Sequence, residues 1–322
     1  MGRCTGRIKI NLVILIFRPG SNYPKCINQD DLEERAHQVG IMRHIYTHAI
    51  EVIVFLGDGK THQISGGSTN LQPPLEVTFH NDSSDDEHIV GFTQRWTSNK
   101  SPRTVSNMDV FSLIAMQARG HEVPFYREVT NQLQTFEKLF EALRMMLLSP
   151  WWNRIWVFQE AIVARKLTVR YGGVSCNWEM FVKAGVQYQE SPVPPLPDTC
   201  TKVLSYFSRL VEDIETRRAA KNTPMHAQNT AAEMLALLRA TTKRNASDDR
   251  DKVYALLGLV PTQTLMTPYY TLSTREIYIG ISGQIIAQGK SLAPLHGDLG
   301  RKNRVDLPSW VPDWSAIVDD QE

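Results

Sequence analysis

The fold class follows from residues 30–57, which have the sequence DDLEERAHQVGIMRHIYTHAIEVIVFLG. From Leu32 onward, apolar residues recur at three- and four-residue spacing, which predicts an amphipathic helix that ends near His48. Asn28 or Asp30 is expected to cap this helix, because short polar side chains accept hydrogen bonds from the first free amides. The segment then becomes continuously apolar, so a helix leads directly into a strand.

Three apolar runs predict the strands of the core. Residues 10–17, 52–57 and 166–171 are rich in aliphatic and β-branched side chains, as expected for strands that are buried on both faces of a parallel sheet. The order strand, helix, strand is typical of an α/β fold with parallel strands. Apolar periodicity resumes after residue 199, where we expect mostly helix.

Residues 58–107 differ from the sequence on both sides. They are rich in Ser, Asn, Asp, Gly and Pro, and they include the acidic stretch DSSDDE at 82–87. Such a composition buries too little apolar surface to become ordered, so we expect a long mobile insertion. Limited proteolysis should therefore cut this segment before it cuts residues 130–165.

The composition argues against several functional classes. The formal net charge is +1, from 35 basic and 34 acidic residues, whereas nucleic-acid-binding proteins usually carry a clear basic excess. The sequence shows no phosphate-binding loop or metal-binding motif, and the apolar run at 10–17 is too short to span a bilayer. No cysteines are paired as C-x-x-C, which indicates reduced thiols in a cytoplasmic protein. The cysteines are Cys4, Cys26, Cys176 and Cys200.

The strongest candidate for chemistry lies in residues 151–160, WWNRIWVFQE. Glu160 follows Trp156 by one helical turn, so the carboxylate and the indole share a helix face. A carboxylate in such surroundings can have a raised pKa and can act as an acid, a base or a charge stabiliser. The structural alternative is that Glu160 pairs with Arg154, with Arg165 or with a backbone amide at a helix end.

A second candidate lies in the first turn of the predicted helix. Glu33, Glu34 and Arg35 follow the first predicted strand, and open α/β sheets bind ligands beyond the carboxyl ends of their strands. The alternative is an ordinary solvated turn, since the helix dipole favours acidic residues at this position.

Two blocks of the sequence resemble the fungal heterokaryon-incompatibility (HET) domain family. The first runs from the Cys-Ile-Asn-Gln segment at 26–29 to Gly57, and the second is the tryptophan-rich block at 151–160. Residues 248–259 and 307–314 are similar to segments that commonly follow the domain in that family.

This resemblance implies an organisation in three parts. Residues 26–165 would be the HET domain, with the mobile insertion at 58–107, and residues 166–322 would be a mostly helical companion region. Residues 1–25 are atypical, because the block that normally begins the domain is missing from them.

The resemblance also implies a function in self/non-self recognition and regulated cell death, exerted through assembly. The expected partners are proteins of an incompatibility system and further copies of the chain, with neither nucleic acid nor a membrane span involved. The missing N-terminal block leaves a further alternative, an inactive truncated relative.

The HET family has been likened to TIR domains, which have a flavodoxin-like parallel sheet and some of which cleave NAD with one glutamate. Trp156 and Glu160 keep the spacing of the matching TIR segment. The resemblance therefore implies an alternative function as an NAD glycohydrolase, with Glu160 as the catalytic residue and NAD as substrate, without a cofactor or metal. Glu160 would open into a cleft at the carboxyl ends of the strands, near residues 26–35. The expected lining residues are Asn28, Gln29, Glu34, Arg35, Tyr46, Arg154 and Trp156.

Overall fold

A mixed sheet forms the centre of the part of the chain that the computed structural model describes. The described residues are 13–16, 30–59, 76–97, 104–121, 129–190, 196–220, 230–260, 265–296, 299 and 302–316. The strands are β1 (Val13–Ile16), β2 (Glu51–Phe55), β3 (Val77–Phe79), β4 (Leu167–Tyr171) and β5 (Val174–Asn177). The helices are α1 (Leu32–His48), α2 (Asp86–Thr97), α3 (Asn107–Ala118), α4 (Val129–Leu147), α5 (Val157–Val163), α6 (Trp178–Glu190), α7 (Asp198–Ala220), α8 (Thr230–Ala240), α9 (Asp251–Leu257) and α10 (Thr274–Gly289). None of these described helices is both long and apolar enough to cross a membrane.

The sheet has the order β1-β2-β4-β5-β3. Strands β1, β2 and β4 are parallel, which confirms the prediction for the three apolar runs. The expectation of a wholly parallel sheet is wrong, because β5 pairs antiparallel with β4 and carries β3 in parallel on its other side. Gly172, with φ of 60°, and Gly173 close a two-residue hairpin between β4 and β5. Two glycines tolerate such a tight turn, so the chain reverses instead of crossing over.

Helix α1 ends at His48, as the periodicity predicts, but its cap differs from the prediction. The cap is Asp31, whose carboxylate accepts hydrogen bonds from the amides of Glu33 and Glu34, each at 3.0 Å. Asp30 lies one residue too early to reach these free amides, and Asn28 lies outside the described residues.

The prediction of a mobile insertion at 58–107 is wrong for residues 76–97. Strand β3 pairs with β5, and α2 packs against α3. Phe79, Phe92 and Trp96 enter the core with at most 2% of their surface exposed. These three aromatic side chains bury enough apolar surface to order the segment, although its overall composition is polar. Residues 60–75 and 98–103 lie outside the described residues.

The described side chains form two hydrophobic cores. The first contains the strands β2 to β5 and the helices up to α7, and the second contains α8 to α10 with the segment at 302–316. The chain after residue 199 is mostly helical, as predicted. The boundary expected at residue 165 falls inside the first core, between α5 and β4. Val39 of α1 and Ile155 belong to the second core, so the two cores meet at α1 and at the residues before α5.

Candidate functional site

The tryptophan-rich block lies at the junction of the two cores. Trp151 and Trp152 form a 3₁₀ turn with their neighbours, are at most 1% exposed and pack edge to face at 4.9 Å between ring centroids. From the other side, Arg244 donates to the carbonyl of Trp152 at 2.5 Å and stacks over the ring of Phe158 at 4.1 Å. The block is therefore held by contacts that are distant in sequence as well as by its own packing.

Glu160 is enclosed at this junction, with 3% of its surface exposed. Its Oε1 accepts a hydrogen bond from the hydroxyl of Tyr46 at 3.5 Å, while its Oε2 is buried without a partner. Burial raises the pKa of the carboxyl, and it outweighs the opposing effects of Arg154, Trp151 and Tyr46. The indole Nε1 of Trp151 forms no hydrogen bond, although its N–H lies near enough to favour the charged carboxylate. The result is a buried carboxyl group that binds its proton more tightly than an exposed glutamate does.

The TIR likeness predicts that Glu160 opens into a cleft at the carboxyl ends of the strands. In the structure Glu160 is buried and lies elsewhere. It contacts Tyr46 in the last turn of α1, just before β2, and it lies in α5 just before β4. Parallel strands begin at the same edge, and the connecting helix runs back to that edge. Glu160 is therefore at the amino edge, where its partner Tyr46 lies about 16 Å along α1 from Arg35, at a rise of 1.5 Å per residue.

Arg35 belongs to a second polar cluster, centred on Asp251 of α9. The guanidinium lies 3.0 Å from Asp248 and 3.3 Å from Asp251, and it stacks over the ring of Tyr270 at 3.7 Å. The indole N–H of Trp156 donates to Asp251 Oδ2 at 3.1 Å, and the hydroxyl of Tyr270 donates to Oδ1. Three donors from three separate parts of the chain thus converge on one carboxylate.

Burial controls proton binding in this Asp251 cluster as well. Desolvation raises the pKa of Asp251, against the opposing effects of Tyr270, Arg35 and Trp156. Desolvation and the neighbouring Asp251 charge raise the pKa of Tyr270, which stays a neutral donor. For Asp248, the hydrogen bonds from Arg250 overcome desolvation and lower the pKa. The cluster therefore has one strongly ionised carboxylate and one that is easier to protonate.

The structure divides the predicted lining residues into two groups. It brings Tyr46 and Arg154 to Glu160, and it brings Arg35 and Trp156 to Asp251. Glu34 lies half-buried in the first turn of α1, beside the Asp31 cap. Asn28 and Gln29 lie outside the described residues.

Three residues of the Asp251 cluster were missing from the predicted site. They are Asp248, Asp251 and Tyr270. The acidic run DDRD at 248–251 was the available signal, because three carboxylates beside an apolar helix need partners. The sequence does not show that one of those partners is Arg35.

One segment of the chain matches a known family. Residues 24–160 match the family described as heterokaryon incompatibility protein (HET), so this segment belongs to the HET domain family. The match includes α1, the tryptophan-rich block and, as its last residue, Glu160.

A curated relative is heterokaryon incompatibility protein 6, OR allele, of Neurospora crassa. It is 27% identical over 325 residues, and the alignment covers 91% of this chain but 44% of that protein. The chain thus spans less than half the length of this relative, while the alignment extends over both hydrophobic cores. No solved structure matches the chain.

Proposed function

We propose that this chain acts in self/non-self recognition and the regulated cell death that follows it, as a module that assembles with protein partners and with its own copies. The observation that carries the proposal is the HET family match, together with a relative named for heterokaryon incompatibility that aligns over both cores. We place this action in the cytoplasm. The buried free thiols of Cys176 and Cys200 fit a reducing compartment.

The finer fold that we propose is a TIR-like, flavodoxin-like core. The parallel order of β1, β2 and β4, with α1 connecting the first two, supports it. In this view the antiparallel β5 and the added β3 are an extension at one edge of the sheet.

Inducible expression in a filamentous fungus tests the assembly function. We expect cell death on induction, and chemical cross-linking in extracts should capture the chain in complexes larger than one copy. Trp152→Ala should abolish both effects, because it empties the first core of a side chain that is 1% exposed. The matched surface change is Asp86→Ala, at a side chain that is 62% exposed, and it should alter neither effect. Death without any complex would contradict assembly, and no death would contradict the proposal.

The alternative function, NAD glycohydrolysis, is favoured by one observation at Glu160. Its Oε2 is a buried acceptor without a partner, beside the unpaired indole N–H of Trp151. An ionised carboxylate in a dry site stabilises the ribosyl cation that forms as nicotinamide leaves. Because Glu160 is enclosed, substrate would reach it only after α1 or α5 moves.

NAD consumption by the purified chain distinguishes the two functions. Under the alternative, Glu160→Gln removes NAD loss and cell death together, while Glu179→Gln, at an exposed position on α6, keeps both. Death that persists in Glu160→Gln without NAD loss in any version leaves the assembly function alone. If a version that carries the family's N-terminal block shows both activities and this chain shows neither, the chain is an inactive relative.

A further inference from the structure

The described polar contacts between the two cores converge on one segment, residues 244–260. Beyond the contacts of Arg244, the amide of Ile155 donates to the carbonyl of Asn245 at 2.9 Å. Arg43 of α1 donates to the carbonyl of Val260 at 2.9 Å. Arg35 of α1 forms ion pairs with Asp248 and Asp251, in the middle of the segment. Helices α8 to α10 are therefore joined to the first core mainly through this docking segment.

The Asp251 cluster draws donors from both cores. Arg35 and Trp156 reach Asp251 from the HET domain, and Tyr270 reaches it from the companion region. The side chain of Asp251 is 8% exposed, and that of Arg35 is 15% exposed. If Arg35 withdraws, Asp251 is left as a buried carboxylate without its countercharge.

A charged contact of this kind differs from the apolar packing beneath it. The desolvation of a buried ion pair cancels much of its Coulomb energy. Such a pair therefore adds little net stability, and its main effect is to fix one relative arrangement of the two cores. Val39 follows Arg35 by one helical turn and Ile155 directly precedes Trp156, and both are at most 7% exposed and belong to the second core. Opening the contact would uncover them without disturbing β2 or β4.

We propose that Asp251 with Arg35, Trp156 and Tyr270 forms a latch that closes helices α8 to α10 over the face made by α1 and residues 151–160. While the latch is closed, this face is withheld from partners, so the contact is autoinhibitory. That regulatory role rests on the proposed function, whereas the closing role does not.

Hydrogen exchange on the full chain tests the closing role. In Asp251→Asn, amides of residues 35–46 and 153–163 should exchange about tenfold faster or more, because a buried partner is lost, while β2 and β4 stay protected. The matched control is Asp249→Asn in the same turn, because Asp249 pairs with Arg304 at 2.9 Å inside the companion region. It should leave exchange at α1 unchanged. Unchanged exchange in Asp251→Asn overturns the latch.

A second variant keeps the test decisive if Asp251→Asn loses its fold. Trp156→Phe removes one N–H donor and keeps an aromatic ring, so it should speed exchange at the same two segments to a smaller degree. Loss of protection throughout the sheet in both variants would also overturn the latch, because the cores would then open only as one unit.

Expression of the same variants tests the autoinhibition. Asp251→Asn should kill at lower expression than the unchanged chain, and Asp249→Asn should not. Equal or weaker killing by Asp251→Asn, despite faster exchange, overturns the autoinhibitory role. Absence of killing in every version contradicts the proposed function instead, and the exchange result still decides the latch.

Discussion

At the scale of single residues, Glu160 links burial to proton binding. Its folded pKa is raised above the ordinary value of 4.5, so its contribution to stability is complete below pH 4.5 and is lost as pH rises through the folded pKa. We therefore expect the free energy of unfolding of Glu160→Gln, relative to that of the unchanged chain, to be higher at about pH 7 than at about pH 4. Urea unfolding of both chains at the two pH values checks this. A difference that is constant with pH would show that burial does not shift this group.

Gly258 shows a different residue-scale constraint, which is the space beside it. A Cβ at this position would lie 2.7 Å from Cδ of Gln159 and 3.2 Å from Cβ of Arg43. Gln159 is 2% exposed and has little room to move. Gly258→Ala should therefore lower the free energy of unfolding by about 1–3 kcal/mol. Gly283→Ala is the control, because nothing lies within 4 Å of its Cβ in α10, and it should raise stability by about 0.5–1 kcal/mol. Equal effects in denaturant titrations would contradict close packing at Gly258.

At the scale of elements, one buried carboxylate joins α2 to α3. Asp109 accepts from the indole N–H of Trp96 at 2.9 Å and from the amide and hydroxyl of Ser106, each at 2.7 Å, within a capping box. Asp109→Ala removes the buried acceptor of these donors, so we expect a loss of about 3 kcal/mol. The exposed pair of Asp86 with Arg119 gives the comparison, since Asp86→Ala should change stability by less than about 1 kcal/mol. Thermal unfolding of both variants measures the two losses of stability. Equal losses would contradict a buried junction between α2 and α3 at Asp109.

At the scale of the whole molecule, the sheet extends past the matched domain segment. The family match ends at residue 160, but the central strand β4 begins at Leu167 and its Val169 is fully buried. A chain that ends at Arg165 should therefore show no cooperative urea transition, because it lacks β4 and β5, which join β2 to β3 in the sheet. A chain that ends at Ala220 should keep a transition, at lower stability, because Val39 and Ile155 become exposed. Cooperative unfolding of the shorter chain would show that β4 is dispensable.

Local pattern determined which elements could be predicted. Helices α8 and α10 lie in the region after residue 199 where mostly helix is predicted, because their apolar periodicity and, for α10, the capping box of Ser273 lie within one segment. Strand β3, helix α2, strand β5 and helix α6 were not predicted. Strand β3 has three residues, and its order depends on pairing with β5, which lies far along the chain. A window of sequence does not contain that partner.

The sequence by itself determined the HET domain segment, the parallel strands with α1 between the first two, and Glu160 and Arg35 as candidate residues, because contiguous blocks carry these features. Only the tertiary structure decided which side chains those two residues meet. Tyr46 lies 114 residues before Glu160, and Arg35 lies 216 residues before Asp251. The protonation tendencies of both carboxyl groups follow from these contacts and from burial between two cores. Burial is a property of the packed molecule, since desolvation depends on every element that excludes water from the group.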